Sequence, residues 1–183
     1  MPDASTCTVE IHGRVGGADV ARGIVEAVVE DGLGGEEPDA YVETYEGHEA
    51  AAAMLRVAEK GGTASFRGEV HEGKAPALES FLVANGIAFR RTTGTHHAYG
   101  PRIAVFEPDM APHVEDHPST DLDAPAVSTE DVRGYVERGD LDGLAALMDR
   151  LENTFPEPEG GRFAPEAVEE LRRLAGPAST PTP

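Results

Sequence analysis

Apolar and polar residues change rhythm several times along the chain, and each change marks an element. Over 7–15 they alternate, with Cys7, Val9, Ile11 and Val15 on one side and Thr8, Glu10, His12 and Arg14 on the other. That period of two predicts a half-buried strand. Gly16 and Gly17 turn the chain, and over 18–31 Val20, Ile24, Ala27 and Val28 recur at helical spacing while Asp19, Glu26 and Glu30 share the opposite side. This is an amphipathic helix that Gly32 is placed to end. After the Gly- and Glu-rich loop 33–39, residues 41–45 read as a short strand or as the approach to the next helix. Residues 47–60 are helical in composition, with Ala51, Met54, Leu55 and Ala58 facing inward, and the Gly61-Gly62 pair stops them.

Alternation returns over 63–70 through Ala64, Phe66, Gly68 and Val70, a second strand. A third helix over 75–85 carries Leu78, Phe81 and Leu82, and Asn85-Gly86 gives it a left-handed exit. Strands over 87–92 and 102–107 then form a hairpin around a turn-rich segment. From 109 to 127 the composition shifts to Pro, Asp, Glu and His, which reads as a linker. Ser128 with Asp131 starts a short helix bearing Val132, Tyr135 and Val136, and Asp140 caps a second whose Leu144, Leu147, Met148 and Leu151 form one stripe. Pro165 opens a last amphipathic helix with Val168 and Leu171 on one face, and 176–183 is a tail of disordered composition. The expected architecture is an α/β domain of α+β type over 1–108, with helices packed on a small mixed sheet of about four or five strands. A helical C-terminal subdomain over 128–175 follows the linker.

A length of 183 residues suffices for such a core without staples. Cys7 is the only cysteine, which excludes an intrachain disulfide and any zinc site built on two thiolates. With no basic, apolar leader and no long apolar run, a cytoplasmic protein outside the membrane is expected.

Charge changes the picture most. There are 34 acidic and 15 basic residues, a net charge of −19, and Lys60 and Lys74 are the only lysines. Direct binding to nucleic acid or an anionic membrane needs a basic patch and is not expected. The acidity fits solvation in a salt-rich cytoplasm, or a surface that imitates the phosphate row of DNA toward a partner with a basic surface. On the second reading the contact residues are Asp19, Glu26, Glu30, Glu46 and Glu49, on the acidic helices 18–31 and 47–60.

Candidate chemistry is thin. His96 and His97 stand at the tip of the expected hairpin beside Tyr99, with Arg90 and Arg91 below, a set able to present imidazole and guanidinium groups to a small ligand or metal. His113, Glu115, Asp116 and His117 are bracketed by Pro112 and Pro118, which denies them the helical geometry of a metal motif. Gly13, Gly16 and Gly17 match no phosphate-binding spacing. Cys7 points inward and reads as a packed thiol. No catalytic residue, cofactor or metal site is assigned. The leucine stripe at 144–151 with Leu171 also fits a homodimer contact.

Within 62–109, Leu78-Glu79-Ser80-Phe81-Leu82, the run Asn85 to Arg91 and the closing 99–108 resemble uncharacterised small acidic α/β proteins encoded by phages and plasmids. The resemblance implies no activity and carries over no catalytic residue. It implies a non-enzymatic accessory or anti-defence role, in which an acidic protein blocks a host nuclease or other nucleic-acid-binding protein. The alternatives are a halo-adapted domain of unrelated role and an enzyme using the 96–97 loop.

Overall fold

The structure, a computed structural model, describes residues 4–37, 40–42, 44–95, 100–108, 111–119, 127, 129–152 and 162–176. Strand β1 (Ala4–Ile11) leads to helix α1 (Ala18–Glu30), a small hairpin of β2 (Gly35–Glu37) and β3 (Ala40–Val42), and helix α2 (Gly47–Lys60). Then come β4 (Ala64–His71), α3 (Pro76–Ala84), β5 (Phe89–Thr93), β6 (Arg102–Glu107), β7 (Ala111–Pro118), α4 (Thr129–Arg138), α5 (Leu141–Glu152) and α6 (Pro165–Ala175). The main sheet has five strands in the order β4-β1-β5-β6-β7, with helices packed on it. Every pairing in it is antiparallel, where a mixed sheet was expected. Strands β4 and β5 run parallel to each other, but β1 lies between them, so the crossover through α3 makes a split β-α-β and no parallel pair.

The alternation read from the sequence sorts the two faces. Cys7, Val9 and Ile11 of β1, Ala64, Phe66 and Val70 of β4 and Phe89 of β5 are buried in one core with α1, α2, α3 and α6. Thr6, Thr8, Glu10, Arg67, Arg90 and Thr92 share the other, polar face, as antiparallel sheets allow.

Two expectations of domain organisation are corrected. The stretch 109–127 is not simply a linker, because β7 occupies 111–118 and pairs with β6 from Arg102↔Pro118 to Glu107↔Ala111. An outermost strand needs donors on one side only, which admits Pro112 and Pro118, and its charges discourage a further strand. Nor is 128–175 one subdomain. The N–H of Val15 donates to the Arg162 carbonyl (2.6 Å) and that of Ala164 to the Val15 carbonyl (2.9 Å), so that Phe163 bridges to the end of the first strand region. Beyond this bridge α6 packs on both α1 and α2, burying Ala167 and Leu171 completely. Helices α4 and α5 pack on each other. Of the tail only Gly176 lies within the described residues.

Polar ties fix the helical layer. Arg173 grips both oxygens of the Glu170 carboxylate, each at 2.7 Å, and Arg22 of α1 adds a bond of 2.8 Å from Nε. These guanidinium groups, Arg173 before Arg22, hold Glu170 down to about 2. At the other end of α1, Asp31 accepts the N–H groups of Ala77 (3.1 Å) and Leu78 (2.8 Å), while Glu79 accepts that of Ala75 (2.9 Å). Two of the open amides that begin α3 are thereby satisfied from the end of α1, and a third from within α3. Burial raises the Asp31 carboxyl above its ordinary value, outweighing the two N–H bonds that lower it. Close approach of α1 and α3 requires Gly23, since a Cβ there would collide with the Phe81 ring.

Two outcomes are expected. Asp31→Ala leaves α3 uncapped and lowers unfolding free energy by about 1 kcal/mol in a denaturant titration. An unfolded glutamate protonates near about 4.3, so the Glu170 clasp contributes stability above that pH and loses it as the pH falls toward about 2. Melting curves across this window should fall more steeply for the natural chain than for Glu170→Gln; parallel curves would refute the clasp.

Candidate functional site

Residues expected to act together are largely separated by the backbone. Neighbours on a strand point to opposite faces, and β5 therefore splits its arginine pair. Arg91 faces the helices and is 3% exposed. Its Nη1 donates to the Gly73 carbonyl (2.9 Å) and to the Thr93 hydroxyl (2.7 Å), which itself donates to the same carbonyl (2.9 Å). Its Nε lies 3.1 Å from Glu79, an ion contact not aligned as a hydrogen bond, and its Nη2 lies 3.7 Å from Asp116. A buried cation with two carboxylates and a carbonyl around it holds α3, β5 and β7 in place. Arg90 faces the polar side of the sheet opposite Glu10. The His12 imidazole, with a smaller contribution from Arg90, holds the Glu10 carboxyl below the usual carboxylate range against the effect of burial. The two guanidinium groups cannot grip one ligand. His96, His97 and Tyr99 lie outside the described residues.

Other polar candidates have local duties. Asp116 accepts a 2.9 Å bond from Arg102. Burial pushes the Cys7 thiol up to about 12, which leaves it a packed, unreactive group. Among the described residues no three His, Cys, Asp or Glu side chains stand close enough to hold a metal, and no helix is long and apolar enough to cross a membrane.

The acidic candidates divide into three places. Asp19 pairs with Arg22 at 3.3 Å near the start of α1. Glu26 and Glu30 line a groove between α1 and α3 with Ser80 and Phe81. Glu46 and Glu49 form the capping box of α2, in which the Glu46 N–H donates to Glu49 Oε2 at 2.8 Å. They serve the helix start, while Asp19, Glu26 and Glu30 stand exposed on the side of α1 away from its buried Ala21, Ile24, Val25, Ala27 and Val28.

The exposed apolar surface lies elsewhere. Among the described residues the large apolar side chains left exposed are Val29, Val136 (56%), Leu141 (62%) and Met148 (44%). Three of them sit on the α4–α5 hairpin, where Asp140 caps α5 by accepting the Gly143 N–H at 3.0 Å. The apolar stripe of α5 divides, with Leu147 buried and Met148 exposed. Glu130, Asp131, Glu137, Asp140, Asp142 and Asp149 are exposed on the same pair of helices, against the exposed Arg133 and Arg138. In sequence the stripe fits packing or a homodimer contact alike; the usable signal was Val136 and Leu141 flanking a tight Gly139-Asp140 turn, where two helices have little room to cover either.

No protein-family model, curated protein or solved structure matches the chain.

If Arg91 belongs to the fold, Arg91→Met strands the Glu79 carboxylate in the interior and costs about 3–5 kcal/mol. The denaturation midpoint measures this, and an unchanged midpoint would return Arg91 to a ligand-facing role.

Proposed function

We propose that this chain is a non-enzymatic binding protein that captures a basic, amphipathic segment of a partner protein on the α4–α5 hairpin. The observation that carries this reading is the concentration of exposed apolar side chains, Val136, Leu141 and Met148, among carboxylates on one pair of helices. Exposed apolar groups ringed by charge mark interaction surfaces. The surrounding acid selects the partner: Lys and Arg around an apolar stripe pair with these carboxylates while the stripe covers the exposed side chains.

The net charge of −19 adds long-range attraction toward a basic partner and repels a second copy of the chain, which disfavours the homodimer. Nucleic-acid-binding proteins are the partner class richest in such basic surfaces, and the resemblance to phage- and plasmid-encoded proteins supports a role in blocking one of them. Glu26 and Glu30, beside the α1–α3 groove, contribute to attraction and not to the apolar contact.

The test is a fluorescence-anisotropy titration with a synthetic helix of leucine and lysine. It should bind at low salt, weaken as salt rises, and lose at least about tenfold in affinity to the double variant Leu141→Ser with Met148→Ser. The melting temperature should hold, since both side chains are exposed. Glu26→Gln with Glu30→Gln should reduce the salt dependence only. Absence of binding, or equal binding by the hairpin variant, overturns the proposal; a fold that forms only near molar salt would assign the acidity to haloadaptation instead.

A further inference from the structure

A cleft with a cationic rim lies on the opposite margin of the molecule from β7, between the second half of α2 and β4. Its volume is about 670 Å³, within the range of small-molecule sites. Lys60 ends α2, Arg67 projects from the polar face of β4, and Thr8, Thr63 and Ser65 supply hydroxyls between them. Ala53 and Val57 give α2's side of the cleft an apolar wall, and Arg56 stands on the same helix. Among the described residues no carboxylate lines it.

That composition is unusual for this chain. Arg22, Lys74, Arg91, Arg102, Arg172 and Arg173 each lie within salt-bridge distance of a carboxylate. Complementing the negative end of a helix explains Lys60. It does not explain Arg67, which sits mid-strand, with its backbone fixed by two bonds to Gly34 (2.7 and 2.9 Å) and its side chain exposed. Arg67 also borders a second hollow of about 220 Å³, which it shares with Thr6, Thr8, Glu10, Arg90 and Thr92, so the row of hydroxyls continues there beside the Glu10 carboxylate.

We infer that the α2–β4 cleft binds a small phosphate monoester, with Lys60 and Arg67 holding the phosphate and the apolar wall of α2 receiving the organic part. Guanidinium and ammonium groups recognise phosphate oxygens through charge-assisted bonds, and hydroxyls complete the shell. A small dianion is the fitting ligand. A polymer of phosphates would meet the surrounding carboxylates over many charges, whereas a single phosphate is screened from all but its immediate neighbours beyond about 8 Å at physiological salt.

Phenyl phosphate, inorganic phosphate and phenol are the probes, read by isothermal titration on the full chain. Phenyl phosphate should bind more tightly than inorganic phosphate, and phenol should show no heat of binding. Arg67→Gln and Lys60→Gln should each weaken phenyl phosphate by about tenfold with an unchanged melting temperature, and Lys74→Gln, paired with Glu72 outside the cleft, should not. Both substitutions are at exposed side chains, so loss of the fold does not stand in for loss of the site. No binding up to about 10 mM, or binding indifferent to both substitutions, overturns the inference. The site is independent of the hairpin, and the leucine and lysine peptide should bind equally with the cleft occupied.

Discussion

The helical layer depends on α6 lying against α1 and α2. Helix α1 has Ala21, Ile24, Val25, Ala27 and Val28 buried, more than one face of a helix can hide against a sheet alone. Helices α2 and α3 cover part of the remainder, and α6 covers the rest through Ala167 and Leu171, brought there by the Val15–Phe163 bridge and kept there by Glu170 between Arg173 and Arg22. Hydrophobic burial supplies most of the stability and the carboxylate fixes the register, since a bidentate guanidinium–carboxylate pair is strict in geometry. The sheet can then leave its second face polar, because a single covered face already buries the alternate residues of β1 and β4.

Much of this was legible in the residues. Alternation through Val9 and Ile11, and again through Phe66 and Val70, located β1 and β4, because a one-residue slip would have buried Glu10 and Arg67. Pro165 and the Val168 and Leu171 stripe located α6 as a helix. A stripe states that a helix packs and is silent about what it packs on, so the partnership with α1 and α2 was invisible. Strand β7 was hidden for another reason: proline and charge describe a loop and a protected edge strand equally well. Its identity is settled only by the hydrogen bonds β6 offers.

The candidate sites were less legible. Glu46 and Glu49 carry acid on an exposed helix start, and nothing local distinguishes a capping carboxylate from a free one when the cap is glutamate and not serine or threonine. Asp31 caps a helix 46 residues further along, a role no local pattern encodes. Arg90 and Arg91 look like one basic patch in sequence, yet the pleat sends one to the polar face of the sheet opposite Glu10 and the other to a buried cluster. Lys60 and Arg67, by contrast, looked unremarkable, since seven positions and a turn separate them. The result is a molecule that sorts its charge: carboxylates dominate the helices, and cations meet hydroxyls where α2 passes the sheet.

The bridge between Val15 and Phe163 has a meaning for how the molecule is made. A ribosome releases α1 and α2 long before it releases the residues that cover them, and β1, β4 and α3 emerge in between. Until residues 163–171 are free of the exit tunnel, the space that Ala167 and Leu171 will fill stays open and the apolar side of α1 is incompletely covered. The high acidity then acts on the nascent chain as well as on the finished one. Mutual repulsion between unfinished chains keeps those bare surfaces apart during the interval in which aggregation competes with folding.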